Sequence, residues 1–292
     1  MRITEGMLTD QYVNNYNRIA EQKQKLQTQL STNSKINTLS DDLIGALQSI
    51  KVEAQIKKTD TYLKNAQTAK EFMTASLDSL DNMNTEIQKI MKTLISASDP
   101  LNAANFPSML ESVKGSLNAI VQDMNVKQNG MYLFGGTNYT TEPATIDADG
   151  KAVVTVEDIS GEVKVQLSQS VNDEINIPGN KIVDTGIFSA INNIIDCFEA
   201  GNAPDAALKS ALDDSYNQLL NVQTIGGEKS NRFDDISALL NNQQTNLTGT
   251  LSDIQGVDIA KLTVDLQQQD YLLQISAKLF ATTFPKSLYD YI

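Results

Sequence analysis

The last stretch of the chain, residues 256–292, places the strongest constraint on what the sequence can fold into. It predicts a helix from Asp258 to Phe284, roughly 42 Å long. A coiled-coil seam with seven-residue spacing is formed by Ile259, Leu262, Leu266, Leu273 and Phe280. A second apolar stripe beside it is formed by Leu272, Ile275 and Leu279. Because one partner helix covers only a narrow seam, this helix is predicted to have more than one neighbour.

The other end of the chain predicts a matching helix. No Gly or Pro occurs from Thr9 to Leu30, and Lys23 is the one polar member of an apolar stripe along this segment. The stripe is formed by Tyr12, Tyr16, Ile19, Leu26 and Leu30. We therefore expect the terminal helices to pair, within one chain or between copies, and their apolar residues form the candidate assembly interface. An ordinary helical bundle with adjacent ends is the plainer alternative.

The intervening sequence predicts a long helical rod. An apolar helical face begins after Ser40, a candidate N-cap, and continues for about 55 residues up to Asp99-Pro100. A second helix is predicted to return antiparallel and to end at Asn129-Gly130 with a left-handed cap. Helices over 187–199 and 204–251 complete the rod.

Between these helices the pattern is that of a small β domain. Asp149-Gly150 and Ser160-Gly161 are turn signals, and strands are predicted at 153–156, 163–167 and 174–177. The sequence thus predicts a mainly α fold in which both chain termini form a nested coiled-coil and helical rod around a β insertion. The predicted parts are a terminal coiled-coil domain (1–39 and 256–292), a helical rod domain (40–136 and 186–255) and an inserted β domain (137–185).

Composition argues against catalysis and metal binding. The chain has no histidine, which is the most frequent general base and a common zinc ligand. The adjacent carboxylates Asp41-Asp42 point about 100° apart on a helix, so they do not converge on a substrate. Asp147 and Asp149 resemble the start of a calcium loop, but Ala152 stands where that loop needs glycine. We expect no catalytic residue, no metal and no cofactor.

Charge and hydropathy restrict the partners. The chain has 36 acidic and 23 basic side chains, a net charge of −13, and no basic cluster, which argues against nucleic acid. No apolar run approaches the roughly 20 residues of a membrane span, and no charged-then-apolar leader opens the sequence. We therefore expect neither membrane insertion nor a cleaved signal peptide. The single cysteine, Cys197, allows no intramolecular disulfide.

Short motifs in this nested order resemble the bacterial flagellin superfamily, and within it the proteins of the hook–filament junction. They are Met1-Arg2-Ile3-Thr4, Ser40-Asp41-Asp42-Leu43-Ile44-Gly45-Ala46, Tyr132-Leu133-Phe134-Gly135-Gly136, Gly226-Gly227 with Asn231-Arg232-Phe233, and Ser287-Leu288-Tyr289-Asp290-Tyr291-Ile292. Leu43 in place of proline, and Pro285 just before the ending, depart from the family pattern. The resemblance implies a helix that continues through Gly226-Gly227, where helix propensity predicts a break.

The resemblance implies a structural, non-enzymatic subunit that joins the hook-associated segment to the flagellin filament, in a ring with its own copies. The implied partners are the first hook-associated protein, flagellin, a cytosolic export chaperone and the flagellar type III export apparatus. The implied location is extracellular, at the hook–filament junction, after export without a cleaved signal peptide. Two alternatives remain, namely flagellin itself and a binding module acting through the β insertion. Whether the chain pairs its own termini before assembly stays open.

Overall fold

A computed structural model of the chain describes residues 5–154 and 159–283. The α-helices in this part are α1 (Glu5–Thr32), α2 (Leu43–Ala97), α3 (Phe106–Met124), α4 (Asn180–Val183), α5 (Ile187–Glu199), α6 (Ala206–Gln255) and α7 (Ile259–Thr283). Short antiparallel strand pairs are β1 (Lys127–Gln128) with β2 (Met131–Tyr132), β3 (Ala144–Ile146) with β4 (Ala152–Val154), and β5 (Lys164–Gln166) with β6 (Asn172–Glu174). The predicted mainly α fold with a small β insertion is confirmed.

The chain forms two compact units, Met1–Lys58 with Gln244–Ile292, and Thr59–Gln243. The first unit contains α1, α7, the start of α2 and the end of α6. The second contains the rest of α2 and α6 together with α3, α4, α5 and all the strands listed above. The three-part division expected from the sequence stays a prediction. Among the described residues, no helix combines the length and the apolar character needed to cross a membrane.

The core of the second unit rests on heptad series in the two longest helices. The buried series on α2 is Met73, Leu80, Ile87 and Leu94, and that on α6 is Leu212, Leu219, Phe233 and Leu240. On α3 the buried face follows the helical spacing of Val113, Leu117, Ile120 and Met124. Burying each such leucine contributes about 1.5–3 kcal/mol relative to exposure, so these faces hold the helices together.

Gly226 occupies the vacant heptad position between Leu219 and Phe233, and it is buried. A Cβ at this position would lie 2.9 Å from Ile177 Cδ1 and 3.0 Å from Leu77 Cδ2. The glycine therefore makes room for side chains from α2 and from the segment before α4. This close approach explains the glycine at position 226. Helix α6 continues through Gly226-Gly227, as the family resemblance implied.

Asparagine side chains fasten the β3–β4 hairpin to two helices. The Asn125 amide, next to the end of α3, donates to Ala144 O at 2.6 Å and accepts from Ala144 N at 3.1 Å. Asn192 on α5 bonds both backbone groups of Ala152 in the same way, each at 3.0 Å. A two-stranded hairpin is marginal in water, so these bonds to α3 and α5 are needed to fix it.

Two local predictions are wrong. Helix α3 ends at Met124, and Asn129-Gly130 forms the two-residue turn of the β1–β2 hairpin instead of a helix cap, with φ of +52° and +82°. Asn-Gly is the strongest short hairpin signal, because both turn residues need positive φ. The strand predicted at 174–177 is misplaced, because β6 covers Asn172–Glu174 and ends there. Strand β3 was not predicted. The predicted Thr155 and Val156 strand positions, Phe284 and the motifs at 1–4 and 287–292 lie outside the described residues.

Candidate assembly interface

Helices α1 and α7 form an antiparallel pair within one chain. The Tyr12 and Phe280 rings have centroids 4.5 Å apart, Lys23 Nζ lies 2.5 Å from Asp270 Oδ1, and Ser34 forms a β-bridge with Gly256. These three pairs share one register along the helices. The register places Ile19 level with Leu273, and Leu26 level with Leu266. One chain thus pairs its own termini in this structure.

The predicted interface residues separate into an inner seam and more exposed positions. The inner seam, which lies between the helices, consists of Tyr12, Ile19 and Leu26 on α1 and Leu262, Leu266, Leu273 and Phe280 on α7. Leu262 is the most enclosed member, at 4% exposure, and Ile19, Leu26, Leu266 and Leu273 are half-buried. Tyr16 and Leu30 are exposed, and Phe280 of the inner seam is 37% exposed. Ile259, which the seven-residue spacing assigned to the seam, is 54% exposed and is not enclosed by the pair. A single pair thus buries only part of the apolar surface of the terminal helices.

A polar layer interrupts the inner seam. Lys23 is the one polar member of the α1 stripe. In the register of the pair it lies level with Gln269, a polar residue on the seam face of α7. Gln269 Oε1 is buried and accepts no hydrogen bond from the described residues, whereas Lys23 pairs with the neighbouring Asp270. A polar layer in a coiled coil favours one register at a cost in stability. Lys23 and Gln269 therefore belong to one polar layer of the structure.

The base of the pair is tied to the end of α6. Lys35 N donates to Gln255 O at 2.7 Å, and Gln29 Nε2 donates to Lys35 O at 2.9 Å. Gln255 Nε2 in turn donates to Glu53 Oε1 on α2 at 3.1 Å. These bonds join α1, α2 and α6 of the first unit at the point where α7 begins.

The loop between α1 and α2 is organised by Asp41 and Asp42. The Asp41 carboxylate accepts from the backbone N–H of Asn37 and Thr38 at 3.0 and 2.9 Å. The Lys25 ammonium, together with these N–H groups, holds the pKa of Asp41 well below its usual value near 3.8. The predicted N-cap Ser40 is wrong, because Asp42 Oδ1 accepts from Gly45 N at 3.0 Å and caps α2.

The outer stripe of α7, formed by Leu272, Ile275 and Leu279, lies beside the inner seam. Leu279 is 57% exposed, Leu272 is 37% exposed and Ile275 is half-buried. Helix α1 therefore leaves much of this predicted second stripe uncovered. Contiguous exposed apolar surface is typical of protein–protein contacts.

Sequence reasoning missed a second exposed apolar surface, at the start of α2. Its members, here called the α2 face, are Leu39, Leu43, Ile44, Leu47 and Ile50, each between 56 and 70% exposed. The helical spacing of Leu43, Leu47 and Ile50 resembles that of the rod core farther along the same helix. Periodicity identifies an apolar face without identifying what covers it.

The described residues contain no group of three or more histidine, cysteine or acidic side chains that could hold a metal ion. Cys197 is half-buried on α5, and its Sγ donates to Asn202 O at 3.5 Å. Burial, with a contribution from nearby Asp205, raises the pKa of this thiol.

The sequence matches the bacterial flagellin N-terminal helical region over residues 3–139 and the bacterial flagellin C-terminal helical region over residues 210–292. The first match contains α1 and α2, and the second contains α7. Together they cover most of the chain. The chain belongs to the bacterial flagellin family.

Relatives that match nearly the whole chain include a flagellin and a hook-associated protein. Flagellin of Bacillus subtilis (strain 168) is 25% identical over 296 residues, covering 96% of this chain and 95% of the relative. Flagellar hook-associated protein 3 of Escherichia coli (strain K12) is 23% identical over 316 residues, covering 99% of each. A solved structure of hook-associated protein 3 from Legionella pneumophila has a TM-score of 0.61 and 13% identity, covering 70% of this chain and 98% of that one. This likeness shows the shared fold.

Proposed function

We propose that the chain is a structural subunit of the bacterial flagellum that joins the hook-associated segment to the flagellin filament. The observation that carries this proposal is the α1–α7 pair, whose outer stripe stays exposed in a single copy. Neighbouring copies in a ring bury that surface, and the hydrophobic gain drives their association.

The two sets of apolar residues have different roles in this proposal. The inner seam closes the terminal pair within each copy. The outer stripe, together with the exposed Tyr16, Leu30 and Ile259, meets neighbouring subunits around the axis. Both sets are apolar, and the role requires no catalysis and no cofactor.

Similarity over nearly the full chain to hook-associated protein 3 supports a place at the hook–filament junction. The partners in this role are copies of the chain, the first hook-associated protein on one side and flagellin on the other. The protein is extracellular after passage through the flagellar type III export apparatus. A cytosolic chaperone covers the apolar face of α7 before export.

The second candidate function is that of flagellin, the filament subunit. The identity to flagellin of Bacillus subtilis, 25%, is slightly above that to hook-associated protein 3 of Escherichia coli, 23%. The segment 132–136 favours the junction role through its resemblance to junction proteins. This segment is built into the fold, because Leu133 and Phe134 are fully buried and a Cβ on Gly136, at φ +62°, would lie 2.8 Å from Ile159 backbone atoms.

Immunogold labelling of flagella attached to cells tests the proposal. The junction role predicts a single labelled band at the hook–filament boundary, and it predicts that cells lacking the protein shed flagellin into the medium. Label along the whole filament would support the flagellin role instead. A flagellum without any label would contradict both.

A further inference from the structure

The α2 face is an exposed apolar surface in the same compact unit as the terminal pair. Leu43, Leu47 and Ile50 follow each other at helical spacing, and Leu39 and Ile44 lie beside them. Such a surface, on the order of several hundred Å², exceeds what isolated surface leucines produce. The described residues of a single chain leave these five side chains more than half exposed.

We propose that the α2 face receives the outer stripe of α7 from a second copy of this chain. This docking rests on the proposed function and specifies one of its contacts. In the proposed ring the contact repeats head-to-tail, with the outer stripe of each copy on the α2 face of the next copy. A head-to-tail contact extends a ring or a helical array, whereas a self-complementary contact stops at a dimer.

The spacing of the two surfaces defines how they fit. Leu43, Leu47 and Ile50 follow steps of four and three residues, whereas Leu272, Ile275 and Leu279 follow steps of three and four. The steps coincide when the helices run antiparallel. Leu43 then lies level with Leu279, Leu47 with Ile275, and Ile50 with Leu272. In a parallel arrangement the middle pair falls out of step.

The charges around the two surfaces favour the same direction. In the antiparallel register, Lys58 of one copy lies within one helical turn of Asp265 of its neighbour. At the other end, Asp42 approaches Lys278 in the same way. The parallel register instead brings Lys51 near Lys278, and this pair repels. Complementary charges thus point to a second copy as the occupant.

Disulfide formation in isolated hook–filament structures tests the docking. Two double-cysteine variants detect antiparallel docking, and each also carries Cys197→Ser so that no other thiol is present. The first is Leu43→Cys with Leu279→Cys, and the second is Ile50→Cys with Leu272→Cys. A disulfide needs Cβ atoms about 3.5–4.5 Å apart, so it forms only where the helices touch. After oxidation we expect dimers and higher oligomers from both pairs on non-reducing gels, and none from the single-cysteine controls.

Specific outcomes overturn the docking. The docking is wrong if neither antiparallel cysteine pair crosslinks. It is also wrong if the parallel pair, Leu43→Cys with Leu272→Cys, crosslinks as well as the antiparallel pair, Leu43→Cys with Leu279→Cys. A crosslink to flagellin instead of to a second copy would also contradict it. If the cysteine variants give a labelled junction band and attached filaments but no crosslinked dimers, this contact is wrong and the proposed function stands. Loss of the band from the unsubstituted protein would reject the function.

Charge reversal provides a second test that does not depend on cysteine. Lys58 and Asp265 form no ion pair among the described residues. We expect Lys58→Glu and Asp265→Lys each to lower the fraction of cells with attached filaments at least twofold, and the double variant to restore it. Unchanged filaments in both single variants, or no recovery in the double variant, would contradict the antiparallel register.

Discussion

The Lys23 ammonium lies 2.5 Å from the Asp270 carboxylate, across the terminal helix pair and next to the buried side-chain oxygen of Gln269. This polar layer lies between the apolar levels Ile19–Leu273 and Leu26–Leu266. Sliding either helix by one turn would bury a charge against apolar side chains. The layer therefore accounts for a single register of the α1–α7 pair.

The unpaired oxygen of Gln269 is expected to destabilise the pair. Gln269→Leu removes a buried acceptor, so we predict that it stabilises the α1–α7 pair by about 1 kcal/mol or more. Gln268→Leu is the matched control, since Gln268 is exposed on the same turn. Hydrogen exchange at the Leu266 and Leu273 amides measures the effect. Equal protection in the two variants would mean that the buried oxygen carries no cost.

The inner seam is expected to be needed for assembly and not for the folding of the second unit. Leu266→Asp with Leu273→Asp replaces apolar contacts, worth about 1.5–3 kcal/mol each when fully buried, with carboxylates that need water. We predict loss of protection in α1 and α7, an unchanged melt of residues 59–243 and shedding of flagellin. Gln267→Asp with Gln274→Asp adds the same charges at exposed neighbouring positions and should leave filaments attached. Secretion must be measured in both, and normal attachment in a secreted seam variant would contradict the proposed role of the seam.

The β3–β4 hairpin is expected to depend on the Asn192 side chain. Asn192→Ala leaves Ala152 N and O without their partners, which costs about 1–3 kcal/mol for each buried group. Asn193→Ala is the control, because Asn193 is the exposed next residue on α5. Urea unfolding should separate the two variants by at least 1 kcal/mol. Similar midpoints would show that the hairpin is held by other contacts.

The two adjacent glycines of α6 are expected to respond differently to alanine. Gly227→Ala meets no atom within 4 Å and should stabilise the helix by about 1 kcal/mol. Gly226→Ala places its Cβ 2.9 Å from Ile177 Cδ1, so packing strain offsets that gain. Thermal melts should therefore give a clearly higher Tm for Gly227→Ala. The reverse order would refute the close approach at Gly226.

The loop between α1 and α2 is expected to weaken in acid. Because the folded state lowers the pKa of Asp41, its stabilisation is complete well above the unfolded value near 3.8 and is lost as the pH falls below it. We predict that Asp41→Asn destabilises the first unit by a constant amount between pH 7 and 5, and that the difference from the unsubstituted protein shrinks below pH 4. Urea unfolding at each pH measures this, and a constant difference down to pH 3 would exclude Asp41 as the cause.

The long helices and the pairing of the chain ends could be predicted because their signal is periodic. Apolar residues recur every three or four positions in α1, α2, α6 and α7, and a helix needs such a face to be stable in water. The same periodicity distinguished the inner seam from the outer stripe, except at Ile259, which it assigned to the seam and which is exposed. Fold class and candidate interface therefore followed from local spacing.

Contacts between distant segments settled the remaining features, since no local pattern encodes them. Gly226 is required in α6 because the side chains of Ile177 and Leu77 leave no room for a Cβ there. Asn192 stabilises the β3–β4 hairpin because the backbone of Ala152 lies within hydrogen-bond distance of α5. The α2 face has the spacing of a core helix, yet no element covers it within the described chain. Spacing determines which residues share a face, whereas burial depends on what the rest of the chain places against that face.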